Sequence, residues 1–140
     1  MSFEYARNRS AADAIKLGEL AKALAMAAVP DEALAAFEQM QQIAPRANSA
    51  SLGIGQVYLA QGEYDKALKA MMASFEPAGI NYYRLGATYA AKGDHPRALE
   101  TMQKAFQVGF SDFAAIDNSP YFDSIRNDPQ FRQMLSKYRK

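Results

Sequence analysis

An Ala-Leu pair recurs three times along this 140-residue chain in one setting: Ala33-Leu34, Ala67-Leu68 and Ala98-Leu99. The first two pairs stand 34 positions apart and the last two 31. Aligning the alanines brings a ladder of other positions into line. Leu20, Ile54 and Leu85 stand thirteen residues before the Ala, and Ala21, Gly55 and Gly86 twelve before. Leu24, Tyr58 and Tyr89 come nine before it; Phe37, Met71 and Met102 come four after. Gly62 and Gly93 share a turn position that Ala28 takes in the first unit. A period of this length marks stacked supersecondary units.

Within each unit two segments carry apolar residues at i, i+3, i+4 and i+7, the rhythm of amphipathic helices. Glycine and alanine at the aligned small positions let two helices approach to roughly 8–10 Å. Tyr58, Tyr89, Met71 and Met102 are expected to fill the space between units, each contributing about 1.5–3 kcal/mol if fully buried. One hairpin leaves an apolar face in water, and stacking covers it.

Local punctuation divides the chain in the same way. Ser10 to Asp13 reads as a helix start, and Pro30 suits the first turn of a second helix. Asn48 or Ser49 can cap a third, which Gly62 ends in the left-handed conformation. Pro77 stops the fourth helix. A fifth is expected over Ile80 to Ala91, ended by Gly93, and Asp94-His95-Pro96 opens a sixth running toward Val108 or Gly109.

These residues resemble the tetratricopeptide repeat, whose unit reads Leu-Gly-x-x-Tyr, then Gly-x-Tyr-x-x-Ala, then an aromatic, a small residue and a late Pro. The second unit has Ile54-Gly55-Gln56-Val57-Tyr58, Gly62-Glu63-Tyr64 and Ala67; the third has Leu85-Gly86-Ala87-Thr88-Tyr89, Gly93-Asp94-His95 and Ala98. The first keeps Ala33, Phe37 and Pro45 but departs at Ala28, Pro30 and Met40. The second is about three residues short near Ser74 to Ile80, almost one helical turn. The resemblance implies an all-α fold, a right-handed superhelix of antiparallel helix hairpins. It implies an N-terminal extension over 1–13, repeats over about 14–47, 48–78 and 79–112, and capping helices over 113–140.

The tail has another texture. Ser119-Pro120 and Asp128-Pro129 are cap-plus-Pro helix starts, and Tyr121, Phe122, Ile125, Phe131, Met134 and Leu135 offer an apolar face. It resembles the closing segment of bacterial tetratricopeptide proteins, where Asp-Pro-x-Phe leads into a final helix. A structural cap is the expected role, with partner docking through the last helix as the alternative.

Chemistry-bearing constellations are lacking. Sixteen basic residues face fifteen acidic ones, so no broad field attracts nucleic acid or anionic lipid. Without cysteine there is no disulfide framework, thiol nucleophile or Cys-ligated zinc. No apolar run is long enough to span a bilayer, and Met1 to Tyr5 does not open a secretory signal; a cytoplasmic location is expected. His95, the single histidine, sits in a turn with no nucleophile or orienting acid nearby. Gly53-Ile54-Gly55 lacks the third glycine and the strand of a dinucleotide loop. Asp117, Ser119, Asp123 and Asp128 have some calcium-loop spacing, but Phe122 takes the glycine position, and capping accounts for them better. No enzyme, metal or cofactor is expected.

The resemblance places a binding groove along the first helix of each unit. Its wall maps to Ile15, Gly18 and Lys22, then Ser49, Leu52 and Gln56, then Ile80, Tyr83 and Ala87 with Arg84 beside them. Some family members clamp a terminal carboxylate with paired Lys and Asn residues. Here only Arg84 fits, because Gly18, Lys22, Gly53 and Ile80 stand at the other positions. The expected function is a non-catalytic scaffold that takes a peptide or helix of a partner protein, with Lys22, Leu52, Gln56, Tyr83, Arg84 and Ala87 as contacts. The alternative is self-assembly into a homo-oligomer, or an accessory role within a larger protein.

Overall fold

The computed structural model describes residues 13, 15–24, 29–43, 48–73 and 75–139 (for 48 and 49, the backbone only). They form helices joined by short turns, with no strand among them. Helical residues 15–24 make α1. Then come α2 (Pro30–Ile43), α3 (Asn48–Ala60), α4 (Tyr64–Ala73), α5 (Gly79–Lys92) and α6 (His95–Gln107). The chain closes with α7 (Phe113–Asn118), a 3-10 turn over Pro120–Phe122, and α8 (Pro129–Tyr138). The expected features at Ser10, Ala28 and Pro45, and the side-chain caps at Asn48 and Ser49, lie outside the described residues. The helices group into two compact units, Met1–Ser74 and Phe75–Lys140.

In the first unit α3 packs against both α2 and α4, and its two glycines make this possible. A Cβ at Gly53 would collide with the ring of Phe37 on α2, and one at Gly55 would come within 2.7 Å of Met71 Cγ on α4. Gly53-Ile54-Gly55 is therefore a pair of notches cut for two neighbouring helices. The invariant alanine of the ladder is sealed in both repeats of this unit, Ala33 and Ala67 each at 0% exposure. Ala21, Phe37, Met40, Ala50 and Val57 complete one apolar cluster, with Leu17, Leu24, Leu34 and Ile54 against it.

The hairpin turns close through glycine. Gly62 takes φ +78° and Gly93 φ +90°, a region closed to most L-residues. At Gly62 the amide donates to Leu59 O at 3.1 Å and the next amide, of Glu63, to Tyr58 O at 2.9 Å. At Gly93 the same pair runs to Ala90 O and Tyr89 O. Both are Schellman closures, which satisfy the last carbonyls of the helix. Gly109, at φ +99°, repeats the motif after α6, with Gly109 and Phe110 donating to Phe106 O and Ala105 O.

α4 has 10 residues and α6 has 13; the short second repeat has lost the final turn of its second helix. Ile80 to Ala91 extends by one residue at each end in the observed α5. Pro30 opens α2 as expected, and α4 ends ahead of Pro77.

One expectation about burial fails. Tyr58 and Tyr89 are half-buried, and the Tyr58 ring lies under the Lys66 ammonium at 5.7 Å. Met71 and Met102 are buried, at 1% and 0% exposure, beside Gly55 and Gly86 of their own hairpins. Leu20, aligned with half-buried Ile54 and buried Leu85, is 51% exposed.

In the second unit the third repeat and the tail share one core. α5 packs on α6, the 3-10 turn lies on α5, and α8 lies on α6. Ile116, Phe122, Ile125 and Phe131 of the tail are fully buried beside Ala98, Met102 and Phe106. Phe122 and Phe131 stack 5.9 Å apart, and Phe106 stacks on Phe113 at 5.5 Å and Tyr138 at 5.3 Å. The cap-plus-Pro starts are realised: Ser119 Oγ accepts from Tyr121 N at 3.3 Å, and Asp128 Oδ1 from Gln130 N at 2.8 Å. α7 was not separated out by sequence; Asp112 caps it, accepting from Ala115 N at 3.1 Å.

Candidate partner-binding surface

On α3, Leu52 and Gln56 lie one turn apart on the same row. Leu52 is half-buried and Gln56 exposed, while Ser51, Gly53, Gly55, Val57 and Leu59 are turned into the core. Lys22 on α1 is likewise exposed, but Gly18, expected on the same wall, is buried against Met40.

α5 presents a different picture. The Tyr83 ring stacks on Phe110 at 4.7 Å and meets Phe122 at 5.6 Å, and its hydroxyl donates to Ala115 O at 3.5 Å. Burial raises the phenol above its ordinary pKa, with the Ser119 hydroxyl pulling the other way. Ala87 is 3% exposed inside the core cluster of the unit. Tyr83 was expected to be solvated and Ala87 to face a groove; the closing segment covers this side of α5 instead. Sequence alignment to the open row of α3 gives no sign of that covering, because the covering residues lie more than twenty positions downstream.

Arg84 and Ile80 lie one turn apart on α5. Ile80 is 46% exposed. Arg84 is half-buried, and burial lowers its guanidinium pKa below the usual value. Its Nη1 donates to Asn81 Oδ1 at 3.4 Å, and no carboxylate of a described residue lies within ion-pair distance. Asn81, held by its own bond from Nδ2 to Glu76 O at 3.0 Å, was not singled out from sequence. A planar donor fork that is half-desolvated and lacks an anion suits a carboxylate.

The calcium-like spacing in the tail is spent on structure. Asp117 forms a two-pronged pair with Arg139 at 2.9 and 3.1 Å, Asp123 pairs with Arg126 at 3.2 Å, and Ser119 and Asp128 are caps. A further cleft of about 560 Å³ runs between α6 and α8, with Leu99, Met134 and Tyr138 among its lining and Gln103, Gln130 and Gln133 beside them. Among the described residues no helix is long and apolar enough to cross a membrane.

Comparison with known proteins agrees with this architecture. Two models of the tetratricopeptide repeat match the sequence, over residues 27–78 and 81–108, together more than half of the chain. No curated protein matches. Among solved structures, the fold is similar to the crystal structure of YrrB, described as a TPR protein with an unusual peptide-binding site. The TM-score is 0.67 and the identity 24%, over 98% of this chain and 71% of that one. Helix hairpins closed on glycine, alanines sealed at the repeat position and the matched repeats together show that the chain belongs to the tetratricopeptide repeat family of protein-interaction modules.

Proposed function

We propose that this protein is a non-catalytic adaptor that takes a peptide or helix of a partner protein along the row of Leu52 and Gln56 on α3. The observation that carries the reading is the row of Leu52 and Gln56, an apolar side chain and an amide one turn apart, left accessible on a helix whose other faces are packed. In the second unit, Arg84, bonded to Asn81 and one turn from exposed Ile80 on α5, is a separate charged handle for a partner. Mixed apolar and polar rows of this kind fit an amphipathic helix or an extended segment. The shared fold with a protein bearing a peptide-binding site supports the same reading. Tyr83 and Ala87 drop out of the contact set because the closing segment already occupies their side of α5.

Peptides selected from a random display library against the parent protein provide the test. Leu52→Glu is expected to weaken the selected peptides by roughly thirtyfold, equivalent to about 2 kcal/mol for a central contact. Arg84→Ala is expected to weaken acidic peptides more than neutral ones. Lys69→Glu, on the exposed side of α4, is the control. Unchanged binding in the Leu52→Glu variant, with loss in the control, overturns the reading.

A further inference from the structure

The cleft between α6 and α8 has two kinds of lining. Leu99 on α6, with Met134 and Tyr138 on α8, forms its apolar part; all three are half-buried and packed on the core of the second unit. Exposed glutamines stand on both walls, Gln103 on α6 and Gln130 and Gln133 on α8. None of these three side-chain amides has a hydrogen-bond partner among the described residues. The charges on the lining are already engaged. Glu100 pairs with Lys104 at 3.5 Å, and the Lys137 ammonium lies 5.2 Å from the centre of the Tyr138 ring.

We infer that this cleft takes an extended, uncharged segment of a partner protein, with apolar residues at alternate positions and its main chain paired to the glutamine amides. A primary amide carries a donor and an acceptor side by side. That is the complement of the N–H and C=O which one residue of an extended chain turns to the same side. A helix bonds those groups within itself and offers the amides nothing. Spacing selects the same occupant. Gln130 and Gln133, three positions apart on α8, have Cβ atoms roughly 5–6 Å apart, and alternate residues of an extended chain repeat about every 6.5–7 Å. The two α8 amides therefore serve the first and third residues of a triplet, and Gln103 on the opposite wall serves the second. With the main chain bonded to the walls, side chains of the segment alternate between cleft and solvent. Every second one then rests on Leu99, Met134 and Tyr138, and this apolar contact supplies the attraction. From Gln130 to Tyr138 the helix rises about 12 Å, the length of about four extended residues. Because Glu100 and Lys137 are engaged, the cleft demands no net charge of its ligand. This site lies in the second unit and is independent of the row on α3.

Titration of the isotope-labelled full chain, followed by NMR through its glutamine side-chain amide signals, tests the inference. The probes are capped hexapeptides that alternate Val with Ser, Leu with Thr, or Phe with Ser. At least one is expected to shift the Gln103, Gln130 and Gln133 signals with a dissociation constant below about 1 mM. Methylating the main-chain nitrogens of that peptide is expected to weaken it by roughly tenfold or more, since the donors are lost while the side chains stay. Gln103→Ala and Gln133→Ala, both at exposed positions, are each expected to weaken it by roughly fivefold to tenfold. Leu52→Glu is expected to leave it unchanged, which separates this site from the α3 row. The inference is overturned if none of the hexapeptides moves the three signals. It is overturned equally by a methylated peptide that binds as well as its parent, or by an amphipathic helical peptide that binds the cleft more tightly than any of the three.

Discussion

Tyr83 and Phe110 stack with ring centroids 4.7 Å apart and planes inclined by 16°, joining the third repeat's first helix to the turn after its second. That turn is closed by Gly109 at positive φ, so the aromatic contact rests on the local backbone conformation. Tyr83→Ala is expected to destabilise by about 2 kcal/mol, short of the ~3–5 kcal/mol of a fully buried aromatic because the ring is only half-buried. A double-mutant cycle with Phe110→Ala in urea is expected to show a coupling of about 0.5–1.5 kcal/mol. Independence of the two losses would mean that the stack contributes nothing beyond burial.

Glycine notches offer a second test. Gly53→Ala would drive a methyl into the Phe37 ring, while Gly86→Ala would meet Met102, with Sδ at 2.5 Å and Cγ at 2.8 Å. A planar ring has nowhere to bend, whereas a thioether can choose another rotamer. Overpacking costs of about 1–3 kcal/mol oppose a helix-propensity gain near 1 kcal/mol. Gly53→Ala is therefore expected to be the more destabilising in thermal melts. The reverse order would show that α2 yields more readily than Met102.

Burial reverses the importance expected of two repeat positions. Met71→Ala is expected to cost about 2–5 kcal/mol, and Tyr58→Ala less, about 1–2 kcal/mol, because much of its ring is already in water. Chemical denaturation of both variants decides it. A larger loss at Tyr58 would restore the tyrosine to the core.

The closing segment is expected to be inseparable from the third repeat. Phe131 is fully buried against Phe122, and Ser124 Oγ donates to Ala90 O at 2.7 Å on the last turn of α5. Phe131→Ala is expected to cost about 3–5 kcal/mol and to raise amide exchange along α5 and α6 together. Exchange that rises in α8 alone would make the tail a separately folding appendage.

The end of α8 is expected to respond to acid. Hydrogen bonds from Arg139, together with its charge and that of Arg126, hold the Asp117 carboxyl below the ordinary carboxylate range. A depressed folded pKa means that the stabilisation is present above the unfolded value and is lost as pH falls through the folded one. Amide exchange over residues 135–139 is expected to quicken in that acidic window, and to be quick at neutral pH in Asp117→Asn. A pH-independent exchange rate would show that the pair holds nothing in place.

Sequence by itself determined the elements whose chemistry is local. Gly62 and Gly93 end their helices because the Schellman bonds join residues no more than five positions apart, and Asp94, Ser119 and Asp128 cap because the amides they serve lie two or three residues on. The ladder likewise marks the alanines that are sealed, Ala33, Ala67 and Ala98, each at 0% exposure. Tertiary structure decided which side of a helix stays open. Leu52 and Tyr83 occupy equivalent rungs, and periodicity treats them alike. Both are half-buried, but Phe110, Ala115 and Phe122 come to Tyr83 from as far as 39 positions away. Leu20 is left in water by the same reasoning. Burial depends on what another segment brings into contact, and no window of local sequence contains that information.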